Sequence, residues 1–176
     1  MTDQHASDDA QLIITQANSL EDIAEVRTLF LEYANWLGFS LCFQGFDQEL
    51  ASLPGKYAPP QGRLLLAHCN GAVAGCGALR PREPGICEMK RLYLRSEFRG
   101  RGLGLKLATK LIEEARLIGY ELMRLDTLPK QMADAHRMYL QLGFYEIPAY
   151  YENPQANPCY MELRLSDTTR SITPGI

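Results

Sequence analysis

A chain of 176 residues carrying a formal net charge of −3 has the length of a single domain with a proper core. The acidic balance argues against a dedicated nucleic-acid binder, which would carry a basic face, and no apolar run is long enough to cross a membrane. Five cysteines, odd in number and without a C-x-x-C pair, argue against a disulfide framework and a metal site. They point to reduced, mostly buried thiols in a cytoplasmic protein.

Residues 1–10 are polar and acidic, unlike a signal peptide, and are expected to be disordered. Leu12–Thr15 reads as a short strand. Ser19 is an N-cap with Asp22 three residues on, opening a helix whose apolar residues are Ile23, Val26, Leu29, Phe30, Tyr33 and Leu37. Gly38 stops it. A short helix over Asp47–Ser52 ends at Leu53-Pro54-Gly55. Arg63–His68 and Val73–Leu79 are strands joined by Asn70-Gly71, a strong hairpin signal. After a turn at Pro81–Gly85, Ile86–Arg95 continues the meander. A helix from the glycine turn to about Ile118 has its apolar face on Leu103, Leu107, Leu111 and Ala115. Leu122–Thr127 returns after a helix and is therefore expected to run parallel to the strand before it. Ala133–Leu142 is a helix stopped by Gly143. Phe144–Ile147 and Tyr160–Leu165 form a last strand pair around a Pro- and Tyr-rich loop. One domain spans residues 11–165, and residues 166–176 are a polar tail.

The stretch Ile86–Ala108 organises the rest: an apolar strand, an Arg- and Gly-rich turn, then a helix start. Unpartnered N–H groups and the positive end of the helix dipole suit an anion such as a pyrophosphate. The loop is neither a P-loop, because Lys106 lies between Leu105 and Leu107, nor a G-x-G-x-x-G fingerprint, because Gly100, Gly102 and Gly104 are spaced by two. A plain turn with solvated arginines is the other reading. Lys90, Arg91, Arg95, Arg99 and Arg101 form a local cationic cluster.

Arg99-x-x-Gly102-x-Gly104 resembles the acetyl-coenzyme A signature R/Q-x-x-G-x-G/A of the GNAT-type N-acetyltransferases. Ala135-His136-Arg137-Met138-Tyr139-Leu140-Gln141-Leu142-Gly143-Phe144 resembles that family's A-x-x-L-Y-x-x-x-G-F, departing in Met138. The order β-α-(α)-β-β-β-α-β-α-β-β is also the family's. The resemblance implies an α+β fold, the GNAT acyl-CoA N-acyltransferase fold, with a mixed, mainly antiparallel sheet flanked by helices. It implies acetyl transfer from acetyl-CoA, without a metal, to a primary amine of a small molecule or peptide, by direct attack through a tetrahedral intermediate. A non-catalytic acetyl-CoA sensor or scaffold, and a protein N-terminal or lysine acetyltransferase, are the alternatives.

Residue by residue, the resemblance places Leu92, Tyr93 and Leu94 along the cosubstrate, with a bulge freeing the amides of Leu92 and Leu94. A plain core strand is the other reading of these three. Arg99, Gly100, Arg101, Gly102, Leu103, Gly104 and Leu105 would hold the pyrophosphate, and Gly104 would be bare because the ligand comes close. Asp126-Thr127 stands where relatives carry an asparagine, so Thr127 is expected to substitute with its hydroxyl. Tyr139 sits at the proton-donor position for the leaving thiolate, although it also lies near its helix's apolar stripe. An amine of pKa about 10.4 is only roughly one part in a thousand neutral near pH 7.4. Glu88 is the candidate base; the alternatives are a water relay, and Glu88 merely pairing with Lys90. Tyr150 and Tyr151 are expected to rim the acceptor pocket or to make a homodimer contact.

Overall fold

The computed structural model describes residues 11–155 and 157–165; the expected disorder of residues 1–10 and the polar tail lie outside the described residues. The strands are Leu12–Gln16 (β1), Arg63–Cys69 (β2), Ala72–Glu83 (β3), Ile86–Leu94 (β4), Leu122–Thr127 (β5), Tyr145–Ile147 (β6) and Cys159–Arg164 (β7). The helices are Leu20–Leu37 (α1), Phe46–Ser52 (α2), Leu103–Ile118 (α3) and Ala133–Gln141 (α4). The strands form one seven-stranded sheet in the order β1-β2-β3-β4-β5-β7-β6. Every pairing is antiparallel except β4 with β5, the step that α3 crosses. No helix of the described residues is long and apolar enough to cross a membrane.

Strand alternation divides the core in two. On one face Leu65, Ala67, Leu79, Met123 and Leu125 pack under Leu107, Leu111 and Ala115 of α3 and Tyr139 of α4. On the other, Leu64, Leu66, Cys76 and Ala78 meet Val26, Leu29 and Phe30 of α1, with Phe46 of α2. Helix α1 begins in the expected capping box: the Asp22 amide donates to Ser19 Oγ at 3.0 Å, and Asp22 Oδ2 accepts from the Ser19 amide at 3.1 Å. Gly75 and Gly77 let β3 sit close to its neighbours. A Cβ on Gly75 would stand 2.2 Å from the Tyr93 carbonyl oxygen, and one on Gly77 2.8 Å from Leu111 Cδ1.

Two expectations are corrected. Strand β3 runs on through Pro81 to Glu83, so the turn is only Pro84-Gly85; the register breaks between Pro81 and Glu83, where proline has no ladder N–H to give. The cationic cluster is not one cluster. Lys90 and Arg91 are buried, Arg95 forms a two-pronged pair with Glu32 at 3.0 and 2.8 Å, and Arg101 is exposed. Of the five free cysteines, Cys69, Cys76 and Cys87 are buried, while Cys159 is half-buried and Cys42 exposed.

Candidate active site

The site originates where β4 and β5 part. Their pairing covers only Ile86–Leu122, Cys87–Met123 and Glu88–Arg124, after which β4 continues to Leu94 without β5 beside it. A cleft of about 660 Å³ opens there, within the range of small-molecule sites. Its walls include Leu92, Tyr93 and Leu94 of β4, Asp126 and Thr127 of β5, the start of α3, Tyr139 of α4, and Tyr33 and Trp36 of α1.

A bulge shapes the β4 wall. Opposite β3, Cys76 pairs with Tyr93 and Ala78 with Lys90, so Gly77 faces both Arg91 and Leu92. Arg91 takes up the extra residue in the left-handed region, at φ 57°. The Arg95 amide donates to Ala74 of β3 at 2.9 Å. Amides alternate in direction along a strand, so those of Leu94 and Leu92 point the other way, to the open edge. The bulge also resets the side-chain alternation. Leu92 packs toward α3, while Arg91 stays on the α2 face with Lys90.

At the other end, Gly100 and Gly102 adopt φ of 75° and 73°, a turn that residues with a Cβ enter only under strain. The turn delivers the chain into α3 with the amides of Gly100, Arg101, Gly102, Leu103, Gly104 and Leu105 donating to no acceptor among the described residues. Gly104 has no unusual φ. A Cβ there would meet only Leu94 Cδ1 at 3.6 Å and Met138 Sδ at 3.9 Å, ordinary contacts. Arg99 is exposed and lies across the mouth of the cleft: its Nε donates to the Leu94 carbonyl at 2.9 Å and its guanidinium lies 5.0 Å from the Trp36 ring centre and 5.6 Å from that of Tyr93. Gly100, Gly102, Leu103 and Leu105 line the cleft with Arg99 and Gly104; Arg101 does not.

Tyr139 is buried, lines the cleft, and packs edge-on against Phe144 at 5.6 Å. Burial pushes its phenol well above the ordinary value, with Tyr33 and Asp126 adding to the shift. Thr127 is buried, and its hydroxyl contacts Met132 Sδ at 3.5 Å.

Glu88 is not among the cleft-lining residues. Its side chain is wholly buried, and it accepts from Arg80 at 2.8 and 3.0 Å, Tyr150 at 2.7 Å and Arg82 at 3.5 Å. Burial alone would raise this carboxyl, but Lys90 and Arg80, with the Tyr150 hydrogen bond, hold it below the usual carboxylate range. Tyr150 and Tyr151 do not rim the cleft either. Tyr150 is spent on Glu88, Tyr151 donates to Asp126 Oδ2 at 2.6 Å, and both rings pack on Tyr160. Two carboxylates do line the cleft, Asp134 and Asp126, and Asp126 accepts from Tyr151, from Asn153 at 3.1 Å and from Lys90 at 3.4 Å. Burial opposes its ionisation, yet Lys90 and these hydrogen bonds hold it below the ordinary value.

Lys90, Arg91, Gln44 and Asn153 also line the cleft, and sequence reasoning gave none of them a role there. The irregular spacing of two cations ahead of Leu92-Tyr93-Leu94 was the one available signal, since a regular strand would send them to opposite faces. Outside the cleft, His136, Glu146 and Cys159 bring potential ligand atoms within 4.8 Å of one another, with Glu146 two-thirds exposed.

Residues 25–144 match the model of the Acetyltransferase (GNAT) family. The chain is 42% identical over 148 residues to an uncharacterized N-acetyltransferase of Schizosaccharomyces pombe, covering 83% of this chain and 90% of that one. It is 30% identical over 216 residues to an uncharacterized N-acetyltransferase of Dictyostelium discoideum, covering 88% and 100%. An acetyltransferase structure from Salmonella typhimurium, solved with its cofactor acetyl-CoA, aligns with a TM-score of 0.66 over 89% of this chain and 95% of that one; at 22% identity this likeness shows the fold. The chain belongs to the GNAT family of acetyltransferases, and is an acyltransferase enzyme of that family.

Proposed function

We propose that this enzyme transfers an acetyl group from acetyl-CoA to a primary amine. The observation that carries the reading is the cleft itself: an open strand edge at one end, and at the other a helix start whose amides have no acceptor among the described residues. The bare Gly104 fits the cosubstrate, because the space a side chain would fill lies beside the amides that would bind a diphosphate.

Acetyl-CoA supplies an activated thioester. The amides of Gly100–Leu105 and the α3 dipole hold its diphosphate. Of the Leu92 and Leu94 amides, two residues apart on the strand, one faces the carbonyl oxygen as negative charge gathers there and the other holds the pantetheine arm. A C–N bond forms at the acetyl carbon and the C–S bond breaks. Tyr139 gives its proton to the departing sulfur and is reprotonated from solvent; burial, which raises the phenol, keeps it in the protonated form that donation needs. The amine proton leaves through water along the Asp126 wall. Glu88 serves instead as the anchor for Arg80, Arg82 and Tyr150, because its lone pairs are taken and it does not line the cleft.

Two measurements test this. Isothermal titration should show saturable coenzyme A binding, also visible through Trp36, which lines the cleft. Thiol release from acetyl-CoA should rise above hydrolysis with at least one member of an amine and peptide panel. Binding without amine-dependent release would point to a sensor; no binding at millimolar coenzyme A would remove the reading altogether.

A further inference from the structure

The β4 wall of the cleft is backed by more cations than carboxylates. Arg80, Arg82 and Arg91 form ion pairs with Glu49 and Glu88, and Lys90 pairs separately with Asp126; hydrogen bonds through Gln44 and Tyr151 join the two groups, four cations against three carboxylates. The two cations that line the cleft are the most deeply buried: the side chains of Lys90 and Arg91 are 5% and 2% exposed. Arg91 Nε donates to Glu49 and Nη1 to Gln44, both at 2.8 Å, but Nη2 is buried with no hydrogen-bond partner among the described residues. Lys90 Nζ makes a single hydrogen bond, at 3.4 Å to Asp126, leaving two of its three donors unused. Buried donors left unpaired are costly, and buried charge is ordinarily matched.

A fixed scaffold holds these donors. From Arg91 the hydrogen bonds run to Gln44 Oε1 at 2.8 Å, from Gln44 Nε2 to the Tyr151 hydroxyl at 3.1 Å, and from that hydroxyl to Asp126 at 2.6 Å. Asp126 in turn accepts from Lys90, closing the path between consecutive residues of β4. Both cations share one face only because the bulge at Arg91 breaks the strand alternation. The same backbone irregularity that turns the Leu92 and Leu94 amides to the open edge therefore also sets a preorganised pair of cations beside them.

We propose that the acceptor amine carries a carboxylate, which docks on Arg91 Nη2 and Lys90 Nζ; the acceptor class is that of small amino acids rather than simple amines. The proposal rests on the acyl-transfer reading for which molecule is acetylated, but the anion site itself does not require turnover. A carboxylate offers two oxygens to two fixed donors and cancels the surplus charge. It also orients the amine of the same molecule toward the β4 edge.

The test has two arms. Propionate and succinate are titrated into the protein with and without coenzyme A, at ionic strength held constant with chloride, reading Trp36 fluorescence and thermal unfolding. Saturable binding beyond chloride is expected, weakened about tenfold in Arg91→Lys, which keeps the charge but loses the fork, while coenzyme A affinity is unchanged. In the second arm glycine, L-alanine, β-alanine and L-aspartate are compared as acceptors with the amides in which every carboxylate is capped. The acids should exceed their amides in kcat/KM on the order of a hundredfold, because a site built for a polar group rejects the analogue that lacks it. Propionate and succinate giving no signal beyond chloride, or amides acetylated as well as acids, overturns the proposal. Should Arg91→Lys fail to fold, the wild-type ratio of acid to amide still decides. Loss of coenzyme A binding would refute the donor reading separately, since the titration without coenzyme A reports the carboxylate site on its own.

Discussion

Substituting Gly104 by valine should separate binding from folding, with almost no cost to the fold. Gly104 is helical, and an added Cβ would meet only the flexible ends of Leu94 and Met138, at 3.6 and 3.9 Å. Valine is also a slightly better helix former than glycine, so the stability of the free protein should change by no more than about 0.5 kcal/mol. The ligand is affected differently. The branched side chain stands beside the amides that face the diphosphate, and displacing it removes one or two hydrogen bonds to a charged group at roughly 1.5–3 kcal/mol each. A loss of about 3 kcal/mol corresponds to a coenzyme A dissociation constant raised on the order of 150-fold. Gly75→Ala is the contrasting control, because its Cβ would lie 2.2 Å from the backbone oxygen of Tyr93 and something rigid must move. That variant should lose at least about 2 kcal/mol of stability. Chemical unfolding and isothermal titration on both proteins check the pair of signs. Coenzyme A binding to Gly104→Val within threefold of wild type, or destabilisation matching Gly75→Ala, would refute the reasoning.

Two further outcomes follow from the site. Tyr139→Phe keeps the ring contact with Phe144 and removes only the hydroxyl, so kcat for thiol release should fall about a hundredfold or more at unchanged coenzyme A affinity; equal turnover would return Tyr139 to a packing role. Glu88→Gln leaves Arg80 and Arg82 without their buried carboxylate and should destabilise by about 3–5 kcal/mol while the pH dependence of kcat keeps its shape, as the proposed anchoring role requires. The Glu88 carboxyl is lowered by folding from its ordinary 4.5, so its stabilisation is complete above that value and is lost as pH falls through the lowered one. Wild type and Glu88→Gln should therefore converge in unfolding free energy in acid, and a constant gap between pH 7 and pH 2 would contradict the assigned pairing.

Glu88 shows what sequence spacing leaves out. Its place in β4 suggested a base or a partner for Lys90, and Lys90 does act on it electrostatically. Its hydrogen bonds, however, come from Arg80 and Arg82 on the extended end of β3 and from Tyr150, sixty-two residues away. A turn beginning at Pro81 would place both arginines outside the strand. Once β3 continues to Glu83, the two guanidiniums lie along Glu88 and neutralise it.

What the sequence alone determined is local. The capping box at Ser19 and Asp22, the hairpin at Asn70-Gly71 and the glycine turn into α3 each depend on backbone geometry within four or five residues, so their residue types announce them. Even the parallel step from β4 to β5 follows from a helix lying between two strands. The tertiary structure alone decided which polar groups meet. The path from Arg91 through Gln44, Tyr151 and Asp126 to Lys90 is built from bonds spanning 47, 107, 25 and 36 residues. No periodicity encodes such distances. They are fixed by the bulge at Arg91, by the parting of β4 from β5, and by packing that excludes water and so makes every remaining polar contact count.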